Sequence, residues 1–232
     1  VRYAHVGVGD TLTKPALLDL LLDAAGHDAR DRGFALEALL SEGRAWVLNR
    51  ITVAVQAPLP GLDETLHVTT WPAPPEGLLA ARHFLVHDDG GTEIAVATTR
   101  WLLIDAARRR PLRIPPELAD LSRDAPPAPL VPPDAAPTPE AFPPGVTFPV
   151  LRRDLDMNGH ATSARYAEWL FEPMPDDLAF ATPRLLDLSL RAETHRGDML
   201  TAEAAETTPG LWHHRLVRSS DERVVATMQT EW

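Results

Sequence analysis

The polar and apolar residues change rhythm several times along the chain. In PALLDLLLDAAGHDARDRGFALEALL, Pro15 to Leu40, the residues Leu17, Leu20, Leu21, Ala24 and Ala25 recur at i, i+3, i+4, which gathers them on one face of a helix. Pro15 suits a first-turn position, where its missing N–H is no loss, so the stretch is expected to form a single buried helix. Period two follows. WVLNRITVAVQ sets Val47, Ile51, Val53 and Val55 on one side, ETLHVTTW comes after a Pro-Gly turn, and ARHFLVHDDGGTEIAVATTRWLLID reads as a long hairpin around Asp-Asp-Gly-Gly. The first half is thus a helix followed by about four antiparallel strands.

The second half repeats that order. HFLVHDDGGTEIAVATTRW from His83 aligns without a gap on HRLVRSSDERVVATMQTEW from His214, with His, Leu, Val, Ala, Thr and the closing Trp shared. Upstream, Gly61 and Gly197 each precede a strand, and a helix precedes each set. Two such units can pair their sheets edge to edge around two helices, which buries both helices and removes one exposed edge from each sheet. The units are expected at 1–123 and 146–232. Between them 124–145 is dominated by Pro and Ala, and Pro neither continues a helix nor donates inside a sheet, so the segment is read as a semi-rigid linker.

DLDMNGHATSARYAEW, Asp154 to Trp169, places Asp156, Asn158 and His160 at alternate positions just before helical spacing begins at Thr162 and continues through Tyr166, Trp169 and Leu170. An extended backbone would point the three polar groups the same way. They are either a catalytic cluster or a capped loop. The first repeat has VGDTLT before its helix, and alignment on Gly61 and Gly197 sets Ala57 opposite Glu193. A device needed only for folding would be needed twice, so the asymmetry favours chemistry.

Composition narrows the classes. Twenty-two Lys and Arg against 33 Asp and Glu leave a net charge of -11, which disfavours nucleic acid as the main partner. Zero cysteines exclude disulfides, thiol nucleophiles and thiolate metal sites. No run approaches the ~18 apolar residues of a membrane span, and no signal-peptide pattern opens the sequence, so a cytoplasmic location is expected. His83 with His87, and His213 with His214, are read as packing or facing solvent, and no metal or cofactor is expected. Trp71, Trp101 and Trp232 are read as core. Arg108, Arg109, Arg110 and Arg113, and Arg152 with Arg153, bunch the positive charge; they are either solvated loops or a docking surface for an acidic carrier protein.

Six segments in order, LTKPALLDLLLDAAGHDA, WVLNRITV, TWP, IAVATTRWLLID with RRPLRIP, and DLDMNGHATSARYAEW, make the chain resemble the acyl-acyl carrier protein (acyl-ACP) thioesterases, bacterial relatives of the plant fatty acyl-ACP thioesterases. The resemblance implies an α+β tandem double hotdog fold, an acyl-chain pocket in the first repeat and one active site in the second. It also implies hydrolysis of the thioester that ends fatty-acid synthesis, with acyl carrier protein as partner. By that likeness the catalytic set is Asp156, Asn158, His160 and Glu193. Thr162, Ser163, Tyr166 and Trp46 are candidates for substrate binding, and Arg108, Arg109, Arg110, Arg152 and Arg153 for carrier docking. The family's Asn pair after the His is replaced here by Ala161, Thr162 and Ser163, residues of which Thr and Ser can still cap a helix. Thr194 stands where the plant enzymes carry Cys, so a thiolate mechanism is excluded.

No Gly-x-Ser-x-Gly elbow occurs, so water is expected to attack the thioester directly. Asp156 or Glu193 serves as base, His160 as its hydrogen-bonding partner, and N–H groups at the helix start stabilise the oxyanion. Acyl-CoA hydrolysis, enoyl-thioester hydration and a non-catalytic acyl-binding module are the alternatives, and a homodimer is possible.

Overall fold

The computed structural model describes residues 1–34, 36–134 and 138–232. Helix α1 (Lys14–Asp31) starts at Thr13, whose Oγ1 accepts from the Ala16 N–H at 3.3 Å, with Pro15 in its first turn. It buries Ala16, Leu17, Leu18, Leu21 and Ala25. The expected single helix to Leu40 does not form. Gly33 adopts φ +82°, the Phe34 N–H reaches the Ala29 carbonyl (2.8 Å) and the Gly33 N–H that of Arg30 (3.0 Å), a left-handed cap that ends the helix. A short α2 (Leu36–Ser41) follows, and Ala35, inside the expected helix, lies outside the described residues.

Strands β1 (Arg44–Val55), β2 (Leu66–Pro72), β3 (Leu79–Asp88) and β4 (Glu93–Asp105) come next, then a two-residue β5 (Arg110–Pro111) and α3 (Pro116–Ala119). The second repeat comprises β6 (Val146–Pro149), α4 (Ser163–Phe171), α5 (Asp176–Phe180), β7 (Leu185–Leu190), β8 (Met199–Thr208), β9 (Leu211–Arg218) and β10 (Arg223–Glu231). They form one sheet in the order β2-β3-β4-β1-β7-β10-β9-β8-β6, with β5 beside β4. The repeats join where β1 pairs antiparallel with β7, Arg50 to Ala54 against Ser189 to Leu185. α1 packs on α4 over one face, closing a core that holds Leu21, Phe84, Leu170, Leu188, Leu200 and Leu216.

β1 departs from strict alternation. Its pairing with β4 slips between Leu48 and Arg50, so Asn49 forms a bulge, and the buried face reads Leu48, Ile51, Val53 in place of Val47, Ile51, Val53.

The other face of the sheet carries polar groups that are nonetheless buried: Thr52, His83, Thr98 and Asp187 among them. The Pro-rich segment lies over this face. Trp71 Nε1 donates to the Pro126 carbonyl (3.1 Å), Thr98 Oγ1 to that of Leu130 (2.9 Å) and Arg50 Nη2 to that of Pro133 (2.7 Å). A proline-rich chain offers many acceptors and few donors, and the sheet supplies donors to match. Residues 135–137 of the expected linker lie outside the described residues. Across the seam between repeats, Arg50 Nε and Nη2 reach the two oxygens of Asp187, each at 2.7 Å, and Thr52 Oγ1 donates to the same carboxylate at 2.7 Å.

The histidines matched by sequence are both buried but on opposite faces of the sheet, His83 on the polar face and His214, in step with the core residue Leu216, on the helix face. His83 Nδ1 contacts Thr98 Oγ1 (2.9 Å), while His214 Nδ1 reaches the Leu170 carbonyl (2.8 Å) and its Nε2 reaches Thr230 Oγ1 (3.0 Å).

Candidate active site

Asp156, Asn158 and His160 do come together, but through a tight turn and not an extended strand. The Gly159 N–H closes on the Asp156 carbonyl (3.1 Å) and the Asp156 N–H on that of His160 (2.7 Å), with Gly159 at φ +79°. Asp156 Oδ1 accepts from the backbone N–H groups of Asn158 (2.8 Å) and His160 (3.1 Å), and its Oδ2 from the Asn158 amide (3.3 Å). That carboxylate is therefore committed to holding the turn.

The loop before α1 is built on the same plan. Val6 bridges Leu12 as Leu155 bridges Ala161; the Thr13 N–H bonds the His5 carbonyl as the Thr162 N–H bonds that of Asp154, and the Gly7 N–H bonds the Thr11 carbonyl as the Asp156 N–H bonds that of His160. Asp156, Asn158 and His160 thus stand where the first repeat has Gly7, Gly9 and Thr11. The second shared loop corrects the alignment on glycines. The Leu12 N–H bonds the Pro60 carbonyl as the Ala161 N–H bonds that of Thr194, and the Asp63 N–H bonds the Val1 carbonyl as the Gly197 N–H bonds that of Val150. Asp63 (φ +63°), not Gly61, is the counterpart of Gly197 (φ +90°), and Leu59, not Ala57, that of Glu193. The asymmetry stands, because Leu59 is a buried core residue.

Glu193 and His160 face each other, with 3.5 Å between Oε2 and Nε2. Arg109 also pairs with the Glu193 carboxylate, although it belongs to the first repeat and was grouped by sequence with the docking arginines. Its turn explains the reach. Asp105 Oδ1 accepts from the N–H groups of Ala107 (3.0 Å) and Arg108 (2.7 Å), the Arg109 N–H bonds the Asp105 carbonyl (2.8 Å), and Arg109 takes φ +55°. Arg218 Nη1 holds the Glu193 carbonyl at 3.1 Å. Sequence reasoning missed Arg218, His195 and the bulge residue Asn49; for the last, the broken alternation in WVLNRITV is the usable signal.

These groups line a cavity of about 900 Å³ that also includes Trp46, Ser163 and Tyr166, whereas Thr162 is not among its lining residues. The Tyr166 hydroxyl is occupied: it accepts from the Thr194 N–H (3.0 Å) and Thr194 Oγ1 (3.1 Å), and donates to the Ala192 carbonyl (3.2 Å). Burial pushes its ionisation upward, so it braces the Glu193 loop as a neutral phenol. Thr162 occupies the N-cap of α4 but makes no side-chain cap bond. The N–H groups of Ala161 and Thr162 are spent on Thr194 and Asp154, which leaves an oxyanion only those from Ser163 onward.

A second, more apolar cavity of about 420 Å³ runs between α1, α3 and the first-repeat strands, lined by Leu22, Ala25, Ala29, Phe34, Trp101 and Leu118 among others. Trp101 is thus a wall of this groove as well as a strand residue. Trp46 and Asn158 line both cavities. Arg108 and Arg110 are exposed beside Arg109, and Arg152 and Arg153 form a shallow groove with Arg196, next to His195 in the chain.

The profile of the acyl-ACP thioesterase N-terminal domain matches residues 1–121, and that of the acyl-ACP thioesterase C-terminal domain matches 144–232. The chain belongs to the acyl-ACP thioesterase family. An acyl-ACP thioesterase from Bacteroides thetaiotaomicron superposes with a TM-score of 0.90 at 28% identity, covering 100% of this chain and 94% of that one. A 12:0-ACP thioesterase from Umbellularia californica, at 21% identity and TM-score 0.81 over 100% of this chain and 94% of that one, shares the double-hotdog fold. A chloroplast acyl-ACP hydrolase of Cuphea viscosissima is 24% identical over 100% of this chain and 60% of its own length. A chloroplast oleoyl-acyl carrier protein thioesterase of Arabidopsis thaliana is 24% identical over 90% of this chain and 62% of its own. The chain thus spans about three fifths of the curated relatives it matches.

Proposed function

We propose that the protein hydrolyses fatty acyl-ACP thioesters, releasing free fatty acid, with the first repeat holding the acyl chain and the second performing the chemistry. The observation that carries this reading is the junction at Trp46 and Asn158. There an apolar groove suited to a hydrocarbon chain adjoins a polar cavity that holds His160 and Glu193, the two hollows sharing Trp46 and Asn158 as lining residues. A thioester at the junction has its alkyl chain out of water and its carbonyl beside the polar set.

Of the two carboxylates, Glu193 is the better base, since Asp156 already accepts three hydrogen bonds within its own turn. In the reaction Glu193 takes a proton from water as the water oxygen attacks the thioester carbonyl. The oxyanion draws on the N–H groups at the start of α4, and the carbon–sulfur bond breaks as the tetrahedral centre collapses. His160 relays the proton to the departing thiolate. Asn158 orients water or carbonyl, and Arg109 and Arg218 hold Glu193 in place.

The exposed arginines, Arg108 and Arg110 next to the cavity residue Arg109 and Arg196 next to the cavity residue His195 with Arg152 and Arg153 in the same groove, suit an acidic carrier protein. Thiol release from acyl-ACP and acyl-CoA of several chain lengths tests the whole reading. Wild type should prefer the carrier-protein substrate, reversal of Arg152 and Arg153 to Glu should remove that preference, and Glu193→Ala should abolish release. Full activity in Glu193→Ala refutes the assignment.

A further inference from the structure

The hydrolysis just described leaves one imidazole at the cavity unused. His160, Glu193 and His195 each offer a donor atom, and these atoms all lie within 4.8 Å of one another. Their backbones are fixed. His160 and His195 pair in an isolated β-bridge, the His195 N–H donates to Asp198 Oδ2 at 2.9 Å, and the two rings meet edge to face with centroids 5.0 Å apart. His195 is also surplus to the fold. Its counterpart in the first repeat is Gly61, whose N–H is taken by Glu64 Oε2 (2.7 Å) as that of His195 is by Asp198.

We propose that His160, Glu193 and His195 form a binding site for a divalent cation of the zinc class, and that its occupancy switches hydrolysis off. Two imidazoles and one carboxylate with an open side are the ligand set of zinc centres that keep a position for an exchangeable group, and imidazole favours zinc, copper and nickel over magnesium. The 3.5 Å between His160 Nε2 and Glu193 Oε2 is close to the roughly 3.4 Å that two ligands at about 2.1 Å subtend at a tetrahedral ion. The carboxylate already carries a cation, the Arg109 guanidinium, and a metal replaces that partner with another positive charge. Coordination engages the lone pairs that His160 and Glu193 need for proton transfer. The inhibitory half of this proposal rests on the hydrolytic reading above; the binding half does not.

Titration of metal-free protein with Zn²⁺ by calorimetry, without substrate, tests the site, and thiol release across the same concentrations tests the consequence. One Zn²⁺ should bind per chain, thiol release should fall over the same range and recover with EDTA, and Mg²⁺ should do neither, since it favours oxygen ligands. The His195 side chain is exposed, so His195→Ala should fold and hydrolyse at the wild-type rate, yet need at least about 10-fold more Zn²⁺ for binding and for inhibition. Equal Zn²⁺ midpoints in wild type and His195→Ala, or no saturable binding below about 1 mM, overturn the proposal. Zn²⁺ binding that depends on His195 in a protein that hydrolyses no thioester would uphold the site and remove the hydrolytic reading instead.

Discussion

Replacing His160 with Thr gives the second loop the residue that stands at the same place, Thr11, in the first. The structure sets both magnitudes. The His160 side chain makes no hydrogen bond among the described residues, is 28% exposed, and has the 3.5 Å approach to Glu193 and the edge-on contact with His195 as its neighbours. Its backbone bonds, N–H to Asp156 Oδ1 and carbonyl to the Asp156 N–H, survive substitution, and the first loop shows that Thr fits this backbone. The loss of stability should therefore stay within about 1 kcal/mol. Removing a positioned proton-transfer group lowers turnover by about 10²- to 10⁴-fold, or about 3–5 kcal/mol of transition-state stabilisation. Urea unfolding followed by tryptophan fluorescence, beside thiol release at saturating acyl-ACP, measures the two quantities separately. Turnover within threefold of wild type, or a stability loss above about 3 kcal/mol, refutes the separation of scaffold from chemistry that the repeat comparison supports.

Three other perturbations follow from particular contacts. Asp187→Ala leaves the Arg50 guanidinium without its carboxylate across the seam between repeats and should cost about 3–5 kcal/mol in urea unfolding; a loss below 1 kcal/mol would show that the Pro133 carbonyl alone satisfies Arg50. Gly26→Leu places a side chain in the wall of the apolar groove, where a Cβ meets nothing within 4 Å, so it should stabilise α1 by about 0.5–1 kcal/mol and shift chain-length preference in thiol release towards shorter acyl groups. An unchanged chain-length profile would place the acyl chain elsewhere. His214, 1% exposed, has its imidazole pushed down to about 4 by burial. Below about 6.5 the unfolded chain takes up a proton that the native chain refuses, so stability is full above that pH and falls by up to about 3 kcal/mol as pH drops towards 4. Urea midpoints from pH 7 to 4 should decline less steeply in His214→Gln than in wild type; parallel declines would count against the buried neutral imidazole.

The large elements were legible because each follows from a short-range pattern: the i, i+4 leucines of α1, the alternation in the strands, and the glycines of the β3–β4 hairpin. What escaped depended on single backbone conformations or on distance in sequence. Gly33 ends α1 through its left-handed φ, and the apolar spacing across it gave no sign of a stop. The bulge at Asn49 turns Leu48 inward in place of Val47, while Ile51 and Val53 stay on the face that alternation assigns them. Arg109 reads as one of four bunched arginines, solvated or docking, and only the turn closed by Asp105 carries it to Glu193. Glu193 itself was legible through family likeness, since nothing in LRAETHRGD alone distinguishes it from a surface acid.

The two repeats also differ little around the proposed site and its counterpart. The loop of the first repeat opens onto a cavity of about 830 Å³ lined by Gly7, Thr11 and Lys14, at the positions held in the second repeat by Asp156, His160 and Ser163 around its cavity of about 900 Å³. Helix, turn and hollow are present in both. In the first, the carboxylate and imidazole positions hold groups that cannot move a proton near neutral pH, and the Glu193 position is the buried Leu59. Lys14, at the position of Ser163, is turned to another use: its ammonium donates to the Ala181 carbonyl at 2.9 Å and to that of Ala179, at the end of α5, and lies 4.5 Å from the centre of the Phe171 ring. Burial lowers its ionisation to about 8, and its hydrogen bonds tie α1 of the first repeat to α5 of the second. The proposed hydrolytic centre therefore differs from the first loop at four positions, Gly7, Gly9, Thr11 and Leu59, and placing the same set in the first cavity would require displacing Leu59 from the core, which the packing around it resists.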